Sequence, residues 1–193
     1  MKRYTGQLFP VLLLGFLAGL SYWLEQAAQV PSTQRDGKMR HDPDSIVDNF
    51  SVRRFNDLGQ LQYILKAPKM KHFADDDTSE LVNAKLTYLR PGAPDVTIFG
   101  KAALVTSKGE TVYLTQEVIA TRAPTVDRPE MVATMPDLTV YPEQGTAHTD
   151  SPVEINQGPT WIKGVGFSLD NNTSVIELHA QITGLIFPNK SQP

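Results

Sequence analysis

The chain is expected to fold as an all-β domain behind one apolar helix, and three features of the sequence predict this. From Ser45 onward, short segments rich in Val, Ile, Leu, Thr and Tyr alternate with clusters of Gly, Pro, Asn and Asp. Inside these segments apolar and polar residues alternate, as in Leu61, Gln62 and Tyr63. No segment beyond Ser45 shows a sustained helical period of apolar residues. A closed barrel and a sandwich of two sheets both satisfy this pattern.

An uncharged apolar run from Leu8 to Leu24 lies between the basic residues Lys2 and Arg3 and the acidic residue Glu25. As a helix it would be about 25 Å long, close to the thickness of the hydrocarbon core of a bilayer. Because positively charged flanks stay on the cytoplasmic side, the N-terminus is expected inside and the rest of the chain outside. A cleaved signal peptide is the alternative, but the length of the run favours an uncleaved anchor.

Two glycines in this run, Gly15 and Gly19, have the spacing that lets two membrane helices approach closely. They are predicted to pack against another helix. A chance occurrence of the pair in a short apolar run is the alternative explanation.

The composition divides the chain into four parts. Residues 1–25 are the predicted cytoplasmic tip and anchor. Residues 26–44 are polar and interrupted by Pro31, Gly37 and Pro43, as expected of a flexible tether. Residues 45–187 are long enough for one β domain with its own core, and residues 188–193 form a C-terminal tail.

Eight segments of the β domain are predicted to be strands. They are 61–66, 80–89, 95–99, 110–121, 135–141, 153–156, 160–170 and 174–184. One face of each strand is expected to leave water, and aliphatic residues mixed with Ala84, Ala102 and Ala120 would line it. Such a face is suited to a groove for an apolar ligand, although an ordinary packed core explains the same composition. Gly59 is predicted to occupy a turn that requires a positive φ angle.

Composition and motifs exclude several classes of function. A formal net charge of -3 with 20% charged residues provides no basic surface for nucleic acid. The absence of cysteine rules out disulfides, a thiol nucleophile and a zinc–thiolate site. His41, His72, His148 and His179 lack the spacing of metal ligands, and no nucleophile or phosphate-loop motif is present. We therefore predict no metal, no cofactor and no catalytic residue, so the chain is not expected to be an enzyme.

Three further features have structural explanations. The acidic run at 75–77 is predicted to be a solvated hairpin turn, because it lacks the pattern of a calcium-binding loop. Gly164 and Gly166 lie inside a predicted strand and are expected to mark a bulge or a close backbone approach. Thr149 and Asp150 are predicted to form a turn that precedes the strand beginning at Val153.

Several segments, taken in order, resemble the LptC family of lipopolysaccharide-export proteins. They are the basic tip with its apolar run, the polar tether, LGQLQYILKAPKMKHFADDD at 58–77, TIFGKAALVTSKGETVYLTQEV at 97–118, TDSPVEI at 149–155 and IKGVGFSLDNNTSVIELH at 162–179. The order of these segments behind the apolar run, more than any single motif, carries the resemblance. The loops at 90–94 and 123–129 depart from the family's pattern.

The resemblance implies an open, twisted β-jellyroll of two antiparallel sheets, located in the periplasm and anchored in the inner membrane. Its apolar inner faces would receive the acyl chains of lipopolysaccharide. The lipid-binding residues implied in this way are Leu61, Tyr63, Leu65, Val82, Ala84, Leu86, Ile98, Leu114, Leu138, Val140, Phe167, Leu169, Ile176 and Leu178.

The resemblance also implies partners. The protein would receive lipopolysaccharide from the permease subunits of an inner-membrane ABC transporter and pass it to a soluble periplasmic bridge protein, edge strand to edge strand. The implied interface residues are Ile46, Val47 and Phe50 at the N-terminal edge, and Val175, Glu177, His179 and Gln181 at the C-terminal edge. The alternative is a purely structural adaptor with a closed core that only joins transporter and bridge.

Overall fold

The computed structural model describes residues 5–28, 41–106 and 109–187. The chain divides into two units, Met1–Arg40 and His41–Pro193. Most of the predicted tether and the whole predicted C-terminal tail lie outside the described residues. The described part of the first unit contains one helix, and that of the second contains nine strands.

Helix α1 extends from Thr5 to Ala28 and is therefore longer at both ends than the predicted apolar run. A Cβ atom added at Gly15 or Gly19 would meet no other atom, so α1 is open along both glycines. Among the described residues, no helix is both long enough and apolar enough to cross a membrane. The predicted membrane anchor is not confirmed.

The nine strands form one antiparallel sheet in which each strand pairs with its neighbours in sequence. They are β1(Ser45–Phe55), β2(Leu61–Phe73), β3(Thr78–Tyr88), β4(Val96–Thr106), β5(Thr111–Arg122), β6(Met131–Tyr141), β7(Thr146–Gln157), β8(Thr160–Asp170) and β9(Val175–Leu185). The predicted all-β fold is confirmed, and β1 adds a strand to the eight predicted ones. The predicted division into two sheets is wrong, because every consecutive pair of strands is hydrogen-bonded into the same sheet.

A line of interruptions in backbone pairing crosses the middle of the sheet, and we call it the crease. It includes Asn49 in β1, Asn83 in β3, Gln116 and Glu117 in β5, and Gln181 in β9. These five residues have positive φ angles between 49° and 63°. Because bulges bend the strands that carry them, a row of bulges folds the sheet over on itself. One sheet thereby supplies both walls of the core.

The crease also shifts the alternation of buried residues along a strand. In β3 the buried residues on its two sides are Leu81, which is 2% exposed, and Ala84 and Leu86, which are 0% exposed. The step from Leu81 to Ala84 is three residues rather than two. Val82 is therefore 47% exposed, and its predicted place on the inner face is wrong. Strict alternation fails here because Asn83 interrupts the strand.

Three prolines lie inside strands at the crease, namely Pro68 in β2, Pro136 in β6 and Pro152 in β7. A proline has no N–H to donate to a strand ladder, so it is tolerated where the ladder is already interrupted. The crease thus explains how a sheet with neighbours on both sides of these strands accommodates proline. Gly166 in β8 has a φ of +78° and lies opposite the bulge that β7 carries between Thr149 and Pro152, so a bulge is present as predicted, but on the neighbouring strand.

Polar groups at the β6–β7 part of the crease are paired with one another. The hydroxyl of Thr149, which is 2% exposed, donates to Asp137 Oδ1 over 2.7 Å. The hydroxyl of Ser151 donates to Asp137 Oδ2, and the backbone N–H of Ser151 donates to Thr149 Oγ1. The turn predicted at Thr149 and Asp150 is wrong, because both residues lie inside β7 at a bulge.

Candidate functional site

The apolar interior of the folded sheet is the first candidate site, and most of the predicted lipid-binding residues line it. Its most deeply buried side chains are at most 1% exposed, among them Leu86, Ile98, Leu138, Val140 and Phe167. The buried members of the predicted set are Tyr63, Leu65, Ala84, Leu86, Ile98, Leu114, Leu138, Val140, Phe167 and Leu169. Leu61, Ile176 and Leu178 are half-buried, and Val82 is exposed.

The interior is packed, and a small apolar cavity remains between its walls. The cavity has a volume of about 30 Å³, which is room for about two water molecules. Val96 on β4 and Ile176 on β9 both line it, although these strands lie far apart in the order of the sheet. The fold therefore brings the two walls into contact here, and a hydrocarbon chain would enter this space only if the walls moved apart.

A hydrogen-bonded arginine holds the two walls together beside the cavity. Arg90 belongs to the β3–β4 connection, and its guanidinium donates to the carbonyl oxygens of Asn171 and Asn172 and, over 2.6 Å, to the hydroxyl of Ser174. We call the β3–β4 connection (89–95) together with the β8–β9 turn (171–174) the Arg90 corner. The hydrogen-bond partners of Arg90 are all neutral, and the carboxylate of Asp170 interacts with Arg90 electrostatically.

A second arginine, Arg122 at the end of β5, lines the same cavity. Its side chain is half-buried, and no hydrogen bond or ion pair joins it to a described residue. Desolvation by burial, followed by the charge of Arg128, lowers the pKa of Arg122 below its ordinary value. Arg128 is held near by the β5–β6 connection, in which Thr125 N donates to Arg128 O over 2.8 Å. The lining of the cavity contains no carboxylate.

Another contact joins β1 to the β6–β7 turn. Arg54, near the end of β1, donates to Glu143 Oε1 over 2.8 Å from a position 89 residues earlier in the chain. Both side chains are exposed, with 55% of each accessible. An exposed ion pair of this kind contributes about 0–1 kcal/mol, so Arg54 and Glu143 form a weak link that can open.

Tyr88 places an unsatisfied polar group in the interior next to the Arg90 corner. The residue is 4% exposed, and its hydroxyl has no hydrogen-bond partner among the described residues. Its ring contacts Tyr63 edge to face, with the centroids 6.0 Å apart. Burial raises the pKa of Tyr88 above its ordinary value. The hydroxyl is thus neutral and available as a donor at physiological pH.

The predicted interface residues lie on the two edge strands of the sheet. Within the described residues, β1 is hydrogen-bonded only to β2, and β9 only to β8. Ile46 on β1 is 57% exposed and Val175 on β9 is 47% exposed. Phe50 is half-buried and packs against the core. Glu177, His179 and Gln181 are exposed along β9, and Val47 is half-buried.

Apolar side chains continue beyond the predicted interface at the C-terminal end of β9. Ile182, Leu185, Ile186 and Phe187 are each between 49% and 70% exposed. Ile182 ends the C-terminal edge implied by the resemblance, whereas the apolar surface formed by Leu185, Ile186 and Phe187 was not predicted. Gly59, the predicted turn residue, has a φ of +75° in the β1–β2 turn, where its N–H donates to Asn56 O.

Sequence spacing also missed a cluster of histidines and aspartates at the β2–β3 turn. His41 Nδ1 lies 3.0 Å from Asp75 Oδ2 and 3.9 Å from Asp76 Oδ2, and its ring stacks on Phe73. One ligand atom from each of His41, Asp75 and Asp76 lies within 4.8 Å of the others, a spacing compatible with a metal ion. All three residues are exposed, and groups of this kind commonly occur without an ion, so the cluster carries no metal assignment.

The two arginines at the cavity, Arg90 and Arg122, are further residues that the sequence did not reveal as site residues. The contacts of Arg90 are with residues 81 to 84 positions later in the chain, and no local pattern connects them. Arg122 is the last residue of β5, and a charged residue at the end of a strand does not by itself indicate a site. Only the folding of the sheet brings both to one cavity.

Comparison with known proteins agrees with this architecture. The family described as "Lipopolysaccharide-assembly, LptC-related" matches residues 11–186. Among solved structures, the chain is similar to LptH, the LptA-homologous periplasmic component of the lipopolysaccharide transport device of Pseudomonas aeruginosa, with a TM-score of 0.51. The identity is 12%, over 65% of this chain and 95% of that chain, so the likeness concerns the fold alone. The curated proteins give no significant match. Because the family match covers most of its length, the chain belongs to the family of LptC-related lipopolysaccharide-assembly proteins.

Proposed function

We propose that the β domain is a conduit for lipopolysaccharide, in which the apolar interior receives acyl chains. One observation carries the proposal: a continuous apolar interior lies between two edge strands that are each open on one side. Family membership supports a role in lipopolysaccharide transport. The two open edges suit the addition of a strand from another protein at either side.

The proposal assigns a different partner to each edge. In the proposal, β1 joins the jellyroll of a permease subunit of the inner-membrane ABC transporter, and β9 joins the soluble periplasmic bridge protein. The main-chain hydrogen bonds of each junction would extend the sheet from one protein to the next. The apolar interiors would then form one path, along which the energy of ATP hydrolysis in the transporter moves the lipid.

The proposal places the β domain in the periplasm and α1 in the inner membrane, with the N-terminus in the cytoplasm. This part rests on the uncharged run of the sequence and on its basic flank. Cell fractionation tests it. The full chain should remain in the membrane fraction after washing with carbonate, whereas a chain that begins at His41 should be released.

Packing sets a physical condition on lipid passage. Burial of one acyl CH₂ group contributes about 0.8 kcal/mol, so a long chain that enters the interior gains enough to hold the walls apart. The partly exposed ion pair between Arg54 and Glu143 and the half-buried Ile176 lie where separation would cost least. A lipid held between partly open walls would also leave again readily.

A second function is favoured by the packing itself. An interior whose side chains are almost fully buried, with a cavity of about 30 Å³, also fits a structural adaptor with a closed core. Such an adaptor would only join the transporter to the bridge protein. It predicts that polar substitutions on the inner face unfold the domain before they affect transport.

Site-specific photo-crosslinking in actively exporting cells separates the two functions. Crosslinkers at Leu86 and at the half-buried Ile176 should capture lipopolysaccharide, whereas those at the neighbouring exposed residues Lys85 and Glu177 should not. Phe167 and Ser168 on β8 form another matched pair. Equal labelling of the two faces, or no labelling of the inner face, would leave only the adaptor.

The same method tests the two edges. Crosslinkers at Ile46 or Phe50 should capture the permease subunit, and those at Val175 or Gln181 should capture the bridge protein. The reversed pattern would contradict the proposed direction of transfer.

A further inference from the structure

We propose that Arg90 and Arg122 bind the anionic headgroup of the lipid while its acyl chains occupy the interior, so that the Arg90 corner is a headgroup site. The inference rests on the proposed function, because it assumes that an amphiphile enters the interior. It goes beyond that function by assigning the charged part of the ligand to two residues and the apolar part to the cavity beside them.

The first argument is the position of the two charges. Both arginines line a cavity whose other walls are largely apolar, including Val96, Ala133 and Phe167. An apolar space with cations at its margin complements a molecule that has a hydrocarbon tail and a negatively charged head. A neutral or cationic amphiphile would gain nothing from the two positive charges.

The second argument is that Arg122 lacks a counterion. A half-buried cation is ordinarily paired, because removing it from water without a partner is unfavourable. No described residue pairs with Arg122, and the charge that lowers its pKa is the like charge of Arg128. An anion bound beside Arg122 would offset the cost of its desolvation and the repulsion from Arg128.

The third argument concerns the free donors of Arg90. A guanidinium group has five N–H donors, and three of those of Arg90 are used by Asn171, Asn172 and Ser174. The remaining donors are available to a phosphate or carboxylate oxygen, which guanidinium binds in preference to a carbonyl. Asp170 is the carboxylate that interacts with Arg90, and it is already engaged by the backbone N–H groups of Asn172 and Thr173.

The occupant is therefore a lipid headgroup that bears phosphate or carboxylate, rather than a free anion. A free anion would leave the apolar part of the cavity unfilled. A headgroup carried on acyl chains would fill both the charged and the apolar part.

The test uses the full chain in phosphatidylcholine nanodiscs and three amphiphiles with the same dodecyl chain: dodecyl phosphate, dodecyl maltoside and dodecyltrimethylammonium. Because the chain has no cysteine, Ala93→Cys provides a unique position in the corner for a fluorophore that is sensitive to its environment. Inorganic phosphate is titrated separately. Every variant experiences the same disc, so for each amphiphile the comparison between variants is unaffected by partition into the lipid.

Dodecyl phosphate should bind at least about tenfold more tightly than dodecyl maltoside, and the preference should shrink as salt is raised. Arg122→Gln should abolish most of the preference and leave maltoside binding unchanged, whereas Arg122→Lys should retain it. The exposed Arg53→Gln is the matched control and should behave like the wild type. Inorganic phosphate alone should not change the signal at millimolar concentration.

Equal affinities for the phosphate and the maltoside, or equal effects of Arg122→Gln and Arg53→Gln, would overturn the inference. A response to inorganic phosphate equal to that of dodecyl phosphate would make the corner a free-anion site and would also overturn it. Should Arg122→Gln fail to fold, the wild-type preference and its salt dependence decide the question. Dodecyl chains that bind without a headgroup preference would refute this inference alone, whereas absence of any binding together with unlabelled inner-face crosslinkers would refute the proposed function.

Discussion

The guanidinium of Arg90 donates a hydrogen bond to the hydroxyl oxygen of Ser174 over 2.6 Å, although 84 residues separate them in the chain. Together with the bonds to the carbonyls of Asn171 and Asn172, this contact closes the folded sheet at one corner. The corner borders the cavity. Its strength should therefore affect both the stability of the domain and the ease with which the walls separate.

Arg90→Ala should lower the free energy of unfolding by about 1–3 kcal/mol, because it removes charge-assisted hydrogen bonds from a half-buried position. Chemical denaturation measures the loss. Hydrogen exchange of the 171–174 amides should accelerate at the same time, since the turn loses its link to the opposite wall. Arg53→Ala, on the exposed face of β1, should change stability by less than about 0.5 kcal/mol. Equal effects of the two substitutions would show that Arg90 does not hold the walls together.

Alanine substitutions at Gly166 and Gly59 distinguish the cost of a strained backbone conformation from the cost of a steric clash. Both have similar positive φ angles, +78° and +75°. A Cβ at Gly166 would lie 2.8 Å from His179 Nδ1, whereas one at Gly59 would meet no atom within 4 Å. Gly59→Ala should therefore cost about 1–2 kcal/mol from conformation alone, and Gly166→Ala should cost more.

A double-mutant cycle checks the origin of the difference. His179→Ala should recover part of the stability lost in Gly166→Ala and should do nothing for Gly59→Ala. Additive effects of Gly166→Ala and His179→Ala would contradict the proposed clash.

Thr149→Val should destabilise the domain by about 1–3 kcal/mol despite its nearly unchanged shape, because Asp137 loses a donor and the N–H of Ser151 loses an acceptor at the crease. Thermal or urea denaturation measures the loss. Thr115→Val, at an exposed position on β5, is the matched control and should lie within about 0.5 kcal/mol of the wild type. A neutral effect of Thr149→Val would mean that water satisfies these groups.

The stability contributed by His72 should depend on pH. A hydrogen bond to Asp44, with a weaker one to Asp77, raises the pKa of His72 above its ordinary value of 6.5. A pKa that is higher in the folded than in the unfolded state gives a contribution that is fully present below the unfolded pKa. That contribution disappears as the pH rises through the folded pKa.

His72→Gln should therefore reduce the urea midpoint more at about pH 5.5 than at about pH 8.5. NMR titration of the imidazole should show the raised pKa directly, and Asp44→Asn should lower it. His148→Gln, whose ring stacks on Tyr141, provides the comparison. A difference that grows toward high pH would have the wrong sign and would refute the pairing with Asp44.

The sequence by itself determined the class of fold and much of the interior. Alternation of apolar and polar residues identified strands and placed Leu86, Ile98 and Phe167 inside, because one face of every strand in a sheet of this kind must leave water. Gly59 identified a turn, because glycine is the residue that most readily adopts the positive φ angle required there. These features depend only on residues that are close together in the chain, so the local sequence is sufficient to predict them.

The tertiary structure decided everything that depends on the crease. Alternation misplaced Val82 and predicted two sheets, because it cannot anticipate that Asn83 and its neighbours in other strands would interrupt the ladders along one line. That line folds a single sheet so that Val96 meets Ile176 and Arg90 meets Ser174. Contacts between residues about 80 positions apart arise from the bending of all strands together, and no local pattern in the chain encodes their pairing.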